Sequence, residues 1–520
     1  MSDVILLSAL LLRMQPDGEG GAAALAPILG DLGRAALGRL RGDGTGVSWT
    51  LDFAATGLRA CRDARRGFWW TTDWSGDCVL LVPSLRLWAV ARFLALGLAL
   101  GVWCRNVGHP DVFVREAEAE ERRKEAGSAS SLGDAPEDAG RARAERVLAD
   151  GAATFAERYG AVRTFVDEMA KPVGALGTLE AWAARLGALR RSTRPAVGDV
   201  VHIVFAADHG AAKAKEEGGE ACSAYPQAVT TAVFRGIAGG GGCGCNVLGE
   251  ANGVQRVQIL DVGCAGALAV GGAGPAAFKL EGGTRNFCLE PAMTPAEARA
   301  LIAAGRQAAA ASVAEMTAGF GALVLGEIGI GNTTCAAALV AAFTGAAPEE
   351  VVDAGARVGR APDPAKRAQK VDVVTRALAR AGVVDAAAAR ADPVAVLAEL
   401  GGAEVCALVG AFLEAGERGV PVLVDGFIAS VAALAAALVE PACSASFFLA
   451  TKSAAAGHAA AVAALQDVAR AAGLPPLPGP ALDMGLRLGE GTGGLLAVPL
   501  LRSAAALLDG MQPLAALLES

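Results

Sequence analysis

Two rhythms alternate along most of this chain. Short apolar blocks that run into an acid or a glycine are separated by longer stretches whose apolar residues recur at helical spacing. His202 to Ala206, Val257 to Val262, Ala322 to Leu325 and Val420 to Val424 read as strands. Phe155 to Leu189 reads as helix, broken at Lys171-Pro172-Val173-Gly174-Ala175-Leu176-Gly177. Further helices open at Val229 and at Pro295, where Thr294 precedes a proline in the first helical position. Lys366 to Arg380 is a basic amphipathic helix, Asp392 to Leu413 a helix pair, and a last helix runs through Leu508. Strands alternating with helices predict an α/β fold with a mostly parallel sheet and helices on both faces. Such sheets bind ligands at the carboxyl ends of their strands. Asp208, Asp261, Glu327 and Asp425 all fall at such ends.

One junction stands out. Between the strand Ala322 to Leu325 and the apolar run Cys335 to Phe343 lies Gly326-Glu327-Ile328-Gly329-Ile330-Gly331-Asn332-Thr333-Thr334. Asn332 or Thr333 is placed to cap the helix that follows. A strand, a glycine turn and a helix N-terminus together make an anion site, because free N–H groups and the positive end of the helix dipole face the turn. Glu327 puts a carboxylate beside it. A bare G-x-G is also met in tight structural turns. The absence of G-K-[ST] speaks against a Walker-type nucleoside triphosphatase.

Composition narrows the classes. At 520 residues there is room for two or three domains. A net charge of -8 with no basic face argues against a nucleic-acid partner. The 11 cysteines have no metal-ligand spacing, and the histidines His109, His202, His209 and His458 never cluster, so no metal is expected. Residues 1–112 differ in character: they hold six of the seven tryptophans and several apolar runs. Leu85 to Cys104 is nearly all apolar, but Arg86 and Arg92 interrupt it, leaving Phe93 to Cys104 too short to span a bilayer. That run reads as a buried helix or a membrane contact. Met1 to Leu12 lacks the basic start and small-residue cleavage site of a secretory signal. Residues 113–149 are charged and rich in Ser, Gly and Ala; they read as a linker, with one enzyme domain over 150–520.

The polar inventory then limits the chemistry. No Ser-His-Asp or Cys-His arrangement and no dinucleotide fingerprint is present. What remains is the phosphate turn, the cations Lys370 and Lys452, and two carboxylates embedded in glycine, Glu327 and Glu490. That set suits a reaction on a phosphorylated sugar with proton removal by a carboxylate.

Taken together, Gly326 to Thr334, Asp208-His209-Gly210, Ser223-Ala224-Tyr225-Pro226-Gln227, Glu290-Pro291-Ala292-Met293-Thr294, Asp425-Gly426-Phe427-Ile428 and Leu486 to Gly493 resemble the nicotinate-nucleotide:dimethylbenzimidazole phosphoribosyltransferases over about residues 150–515. Lys171-Pro172 through Leu176-Gly177 is similar to that family's opening segment. The resemblance implies transfer of phosphoribose from nicotinate mononucleotide to 5,6-dimethylbenzimidazole, giving α-ribazole 5′-phosphate and nicotinate for the lower ligand of cobalamin. It implies a Rossmann-like large domain, a small helical domain built from both ends of the enzyme region, a homodimer and no cofactor. It places the general base at Glu490. The nucleotide and its phosphate fall to Glu327, Gly329, Gly331, Asn332, Lys370, Asp425, Gly426, Lys452 and Ser453, and the benzimidazole to Ser223, Tyr225, Gln227 and Leu488.

The chain departs from the family's pattern in places. Lys213 to Gly219 looks like an insertion, and Thr451-Lys452-Ser453-Ala454-Ala455-Ala456-Gly457-His458 stands where many members read His-Arg-Ser-Ala-Glu-x-Gly-His. Lysine for arginine keeps the charge and loses bidentate phosphate geometry. Leu25 to Leu40 and Trp74-Ser75-Gly76-Asp77 resemble part of the membrane cobalamin-phosphate synthases, which act later in the same pathway. The expected compartment is the cytoplasm, with any membrane or organellar association residing in the N-terminal region. The rival reading is an inactive paralogue that binds nucleotide or benzimidazole as a sensor or carrier; loss of Glu490 or of the glycine turn would favour it, and both are present.

Overall fold

The computed structural model describes residues 139–254, 256–266, 276–316, 321–354 and 363–519, with the backbone course of five strands between residues 40 and 82. The chain divides into two compact units, Met1–Ala135 and Pro136–Ser520.

In the first unit β1 (Leu40–Gly42), β2 (Ser48–Phe53), β3 (Leu58–Asp63), β4 (Phe68–Asp73) and β5 (Leu80–Val82) form an antiparallel sheet in sequential order. Ser48 pairs with Asp63 and Phe53 with Leu58; Leu58 in turn pairs with Asp73 and Asp63 with Phe68. The segments joining β2 to β3 and β3 to β4 both end in glycine, at Gly57 and Gly67. Strand starts at 48, 58 and 68 make a ten-residue repeat, a hairpin signature that the apolar and tryptophan-rich character of the region obscures. The apolar run Leu85 to Cys104 and Trp74-Ser75-Gly76-Asp77 lie outside the described residues.

The second unit holds the parallel sheet. Its strands β6 (Val200–Ala207), β7 (Arg256–Gly263), β8 (Ala322–Ile328), β9 (Val422–Val424) and β10 (Phe447–Leu449) run in the order β10-β9-β8-β6-β7, every neighbouring pair parallel. From β6 the chain moves outward to β7, then returns to build β8, β9 and β10 on the other side. The direction of winding therefore reverses between β6 and β8, where a doubly wound sheet leaves a crevice at its carboxyl edge.

Burial explains why the strands read as unbroken apolar blocks: β6 is buried at every position, as a strand covered on both faces must be. Val201, Ile203 and Phe205 join one core, with helices Pro295–Ala314, Asn332–Thr344, Ala403–Glu417 and Phe427–Val439. Val200, Val204 and Ala206 join the other, beneath helices Phe155–Asp167, Thr178–Arg190 and Thr492–Gly510.

This second layer draws the two ends of the unit together. The Ala170 N–H donates to Gln512 O at 2.9 Å, Leu514 N–H to Glu168 O at 3.0 Å, and the Arg141 guanidinium to Leu508 O at 3.0 Å. Helix Ala139–Ala149 buries Ala144 and Leu148 here, although its sequence reads as part of the charged linker. Thr492–Gly510 is long and apolar enough to cross a membrane, but Leu495, Val498, Leu501 and Leu508 place its apolar face in this core.

Candidate active site

The carboxyl ends of β8, β9 and β10 open into a cavity of about 310 Å³. Glu327, Ile328 and Gly329 line it from β8 and its turn, Asp425 and Gly426 from β9, and Thr451 and Ser453 from β10; Leu486 to Glu490 and Thr492 close it from the C-terminal segment. Tyr225, Val229 and Val233 add an apolar wall from the start of helix Ala228–Ala238.

Glu490 sits in this wall under unusual backbone constraint. Its φ is +58°, and Gly489 and Gly491 on either side are also left-handed, at +83° and +73°. A non-glycine residue in that region is held there by its surroundings. Here the Glu490 N–H donates to Glu327 O at 3.2 Å, and Gly326 lies so close that a Cβ on it would stand 2.5 Å from the Glu490 carbonyl carbon. One carboxylate oxygen, Oε2, accepts the Cys245 N–H at 3.4 Å, from the first turn of helix Gly244–Ala251. That helix N-terminus favours a negative charge beside it. Cys243-Gly-Cys245 thus supplies a backbone donor. Both thiols are pushed up chiefly by burial, Cys245 to about 12, which keeps them protonated and poorly reactive.

Asp425, assigned above to the nucleotide, has its Oδ1 occupied by the chain itself. It accepts from Gly493 N at 2.6 Å and Gly494 N at 3.1 Å, tying β9 to the first turn of helix Thr492–Gly510, immediately after Glu490. Burial pushes Asp425 up to about 6, against the pull of these N–H groups. Glu327 is raised as well. Burial first, then the nearby carboxylates of Asp425, Glu404 and Glu490, push it well above the ordinary range, although Asn332 Nδ2 donates to its Oε2 at 2.6 Å.

The glycine turn differs in detail from its expected form. Gly331, at φ +104°, is the N-cap, and neither Asn332 nor Thr333 caps the helix with its side chain. Ile330 N–H donates to Thr230 Oγ1 at 3.1 Å and Asn332 N–H to Gly329 O at 3.1 Å. The cation at this corner is Lys370, 4% exposed, whose Nζ donates to Thr333 Oγ1 at 3.0 Å. Burial lowers its pKa.

Not every expected residue reaches the cavity. Tyr225, Glu327, Gly329, Asn332, Asp425, Gly426, Ser453, Leu488 and Glu490 line it, and Lys370 touches the lining Thr333. Ser223 accepts the Tyr225 N–H, and the Gln227 amide donates to His209 O at 2.7 Å, so both shape the approach from behind. Gly331 stands behind the turn, against Ala212. Lys452 is not among the lining residues; its side chain is 62% exposed and paired with Asp483 at 2.9 Å. Ser453 is held through its backbone, its N–H donating to His458 Nδ1 at 3.1 Å. His458 therefore offers its Nε2–H to Ser430 Oγ at 3.2 Å, and burial lowers it to about 4. The sequence reading missed Thr230, Cys245, Val233 and Thr333. Of these, Cys245 carries a legible sign, since Gly239 to Gly244 opens onto a helix N-terminus.

Comparison with known proteins agrees with this geometry. A family described as "Phosphoribosyltransferase" matches residues 155–516. The chain is 41% identical over 346 residues to the nicotinate-nucleotide–dimethylbenzimidazole phosphoribosyltransferase of Chromobacterium violaceum, covering 66% of this chain and 90% of the relative. It is 40% identical over 362 residues to that of Deinococcus radiodurans, covering 69% and 90%. The crystal structure of the corresponding Thermus thermophilus enzyme superimposes with a TM-score of 0.59 at 37% identity, over 70% of this chain and 98% of the other. The chain belongs to the nicotinate-nucleotide–dimethylbenzimidazole phosphoribosyltransferase family.

Proposed function

We propose that this chain moves phosphoribose from nicotinate mononucleotide to 5,6-dimethylbenzimidazole, giving α-ribazole 5′-phosphate and nicotinate. The observation that carries this is one cavity lined by two unlike sets of groups. One is a helix start with Thr333, which the buried Lys370 touches; the other is Glu490 with the apolar Val229, Val233 and Leu488. The first suits a sugar 5′-phosphate, the second a flat apolar ring with a proton to lose.

The chemistry needs little more. Nicotinate bound through its ring nitrogen is already cationic and leaves without an acid. The incoming azole must lose its N–H proton, which Glu490 accepts. Attack opposite the departing ring turns β into α at the anomeric carbon. Glu327, held by Asn332, faces the same space and helps orient the ribose. Rigid strand ends and a helix start hold these groups in place before substrate arrives.

The reading includes a homodimer, for which the exposed Val173, Leu176, Leu514 and Leu517 offer apolar surface. The deciding experiment is incubation of the purified chain with both substrates and detection of nicotinate and α-ribazole phosphate. Absence of both products from folded protein would overturn the proposal.

A further inference from the structure

Behind the glycine turn lies a buried polar chain that the reaction does not use. His209 and Glu404 are 1% and 0% exposed, with Nε2 and Oε1 2.9 Å apart. His209 follows β6 and Glu404 sits in the first turn of helix Ala403–Glu417, so the pair joins two elements of distant sequence. His209 packs directly against the turn. A Cβ on Gly329 would stand 3.2 Å from His209 Nε2, and one on Gly331 3.3 Å from His209 Cβ.

The turn is also held from its other side. The Ile330 N–H donates to Thr230 Oγ1, and the Thr230 hydroxyl lies near enough to the Asp208 carboxylate to act on it electrostatically. Asp208 is next to His209 in sequence and 1% exposed; its Oδ2 accepts the Ala265 N–H at 2.9 Å. The Gln227 amide fixes the His209 carbonyl. A peptide turn of glycines has little conformational preference of its own. Its path must come from what it rests on.

We propose that Thr230 and His209, with Asp208 and Glu404 behind them, are positioning residues for the phosphate end of the nucleotide. They hold Gly329-Ile330-Gly331 so that its remaining backbone donors and the helix start face the cavity. None of the four touches substrate. This inference rests on the proposed nucleotide-binding role of the turn, and it predicts a loss confined to one substrate.

The test compares Thr230→Val, which keeps the shape and removes the acceptor of the Ile330 N–H, with Thr230→Ser, which keeps the hydroxyl. His209→Leu is compared with His209→Gln in the same way, the glutamine amide retaining a donor that reaches Glu404. For Thr230→Val and His209→Leu, KM for nicotinate mononucleotide should rise roughly ten-fold or more, with kcat and the azole KM near wild type. The Ser and Gln variants should recover most of the loss. Calorimetric binding of inorganic phosphate, measured on the same proteins, reads the turn without the reaction. Inactive wild type together with weakened phosphate binding in Thr230→Val would defeat the proposed activity and support the inference. Active wild type with unchanged phosphate and nucleotide binding in both variants would overturn it. So would losses in both substrates that follow the fall in Tm and are not rescued by Ser or Gln.

Discussion

At the scale of single residues, the site separates two carboxylates that look alike in sequence. Glu327 and Glu490 are both set among glycines, and their backbones are hydrogen-bonded to each other. Burial and three neighbouring carboxylates push Glu327 toward its protonated form, and Asn332 already holds its Oε2. Glutamine at 327 keeps the shape and a hydrogen-bonding oxygen for Asn332. At neutral pH, Glu490→Gln should lower kcat by roughly 10²–10⁴-fold, whereas Glu327→Gln should cost markedly less. A steady-state comparison with saturating nucleotide checks this, and the reverse order would move the base to Glu327. The two lysines diverge for a similar reason. Lys370→Ala removes a buried ammonium and should weaken nicotinate mononucleotide binding by about ten-fold, with the loss growing smaller at high salt. Lys452→Ala removes an exposed ion pair with Asp483 and should leave binding nearly unchanged, as such pairs contribute about 0–1 kcal/mol. Binding titrations on both variants test the pair.

At the scale of elements, catalytic geometry depends on where one helix begins. Helix Thr492–Gly510 starts one residue after the left-handed Gly491, and Asp425 fixes that start through Gly493 and Gly494. Because burial raises Asp425 from 3.8 to about 6, the folded state binds more protons than the unfolded chain between those values. Its contribution to stability is full below about 3.8 and is lost as pH rises through about 6. Asp425→Asn keeps an oxygen acceptor for both N–H groups and cannot ionise. Relative to this variant, the wild type should lose stability between pH 4 and pH 7, by on the order of 3 kcal/mol at most. Denaturant titrations of both proteins across that range measure it. A constant difference would show that Asp425 titrates alike in both states.

At the scale of the whole molecule, the parallel sheet unit should fold and act without the strands of residues 40–82, since the side chains that line the candidate site lie beyond Ala135. The cut matters. A fragment beginning at 136 keeps helix Ala139–Ala149, whose Leu148 is buried and whose Arg141 reaches Leu508 O. One beginning at 150 loses both and should melt lower by roughly 2–5 °C, as calorimetry on the two fragments would reveal. Equal melting would mean that this helix adds nothing to the unit. What was legible beforehand follows from local chemistry. The alternation of blocks, the acids at strand ends, Thr294-Pro295 and the glycine turn are each specified within a few residues, and so is the motif around Glu490. The ten-residue strand repeat from Ser48 is local too, but tryptophans and apolar runs mask it. The rest depends on partners far along the chain. That Asp425 ties down a helix start while lining the cavity depends on Gly493 and Gly494, and that Gln227 stays out of the cavity depends on the carbonyl of His209. Lys370 and Lys452 differ only in what covers them. The left-handed seat of Glu490 needs Gly326 and the carbonyl of Glu327, brought beside it by the sheet. By itself the sequence determined which elements form and which chemical groups stand at their ends. Tertiary packing decided which of those groups remain free to meet a substrate, because burial and backbone hydrogen bonds are properties of neighbours in space.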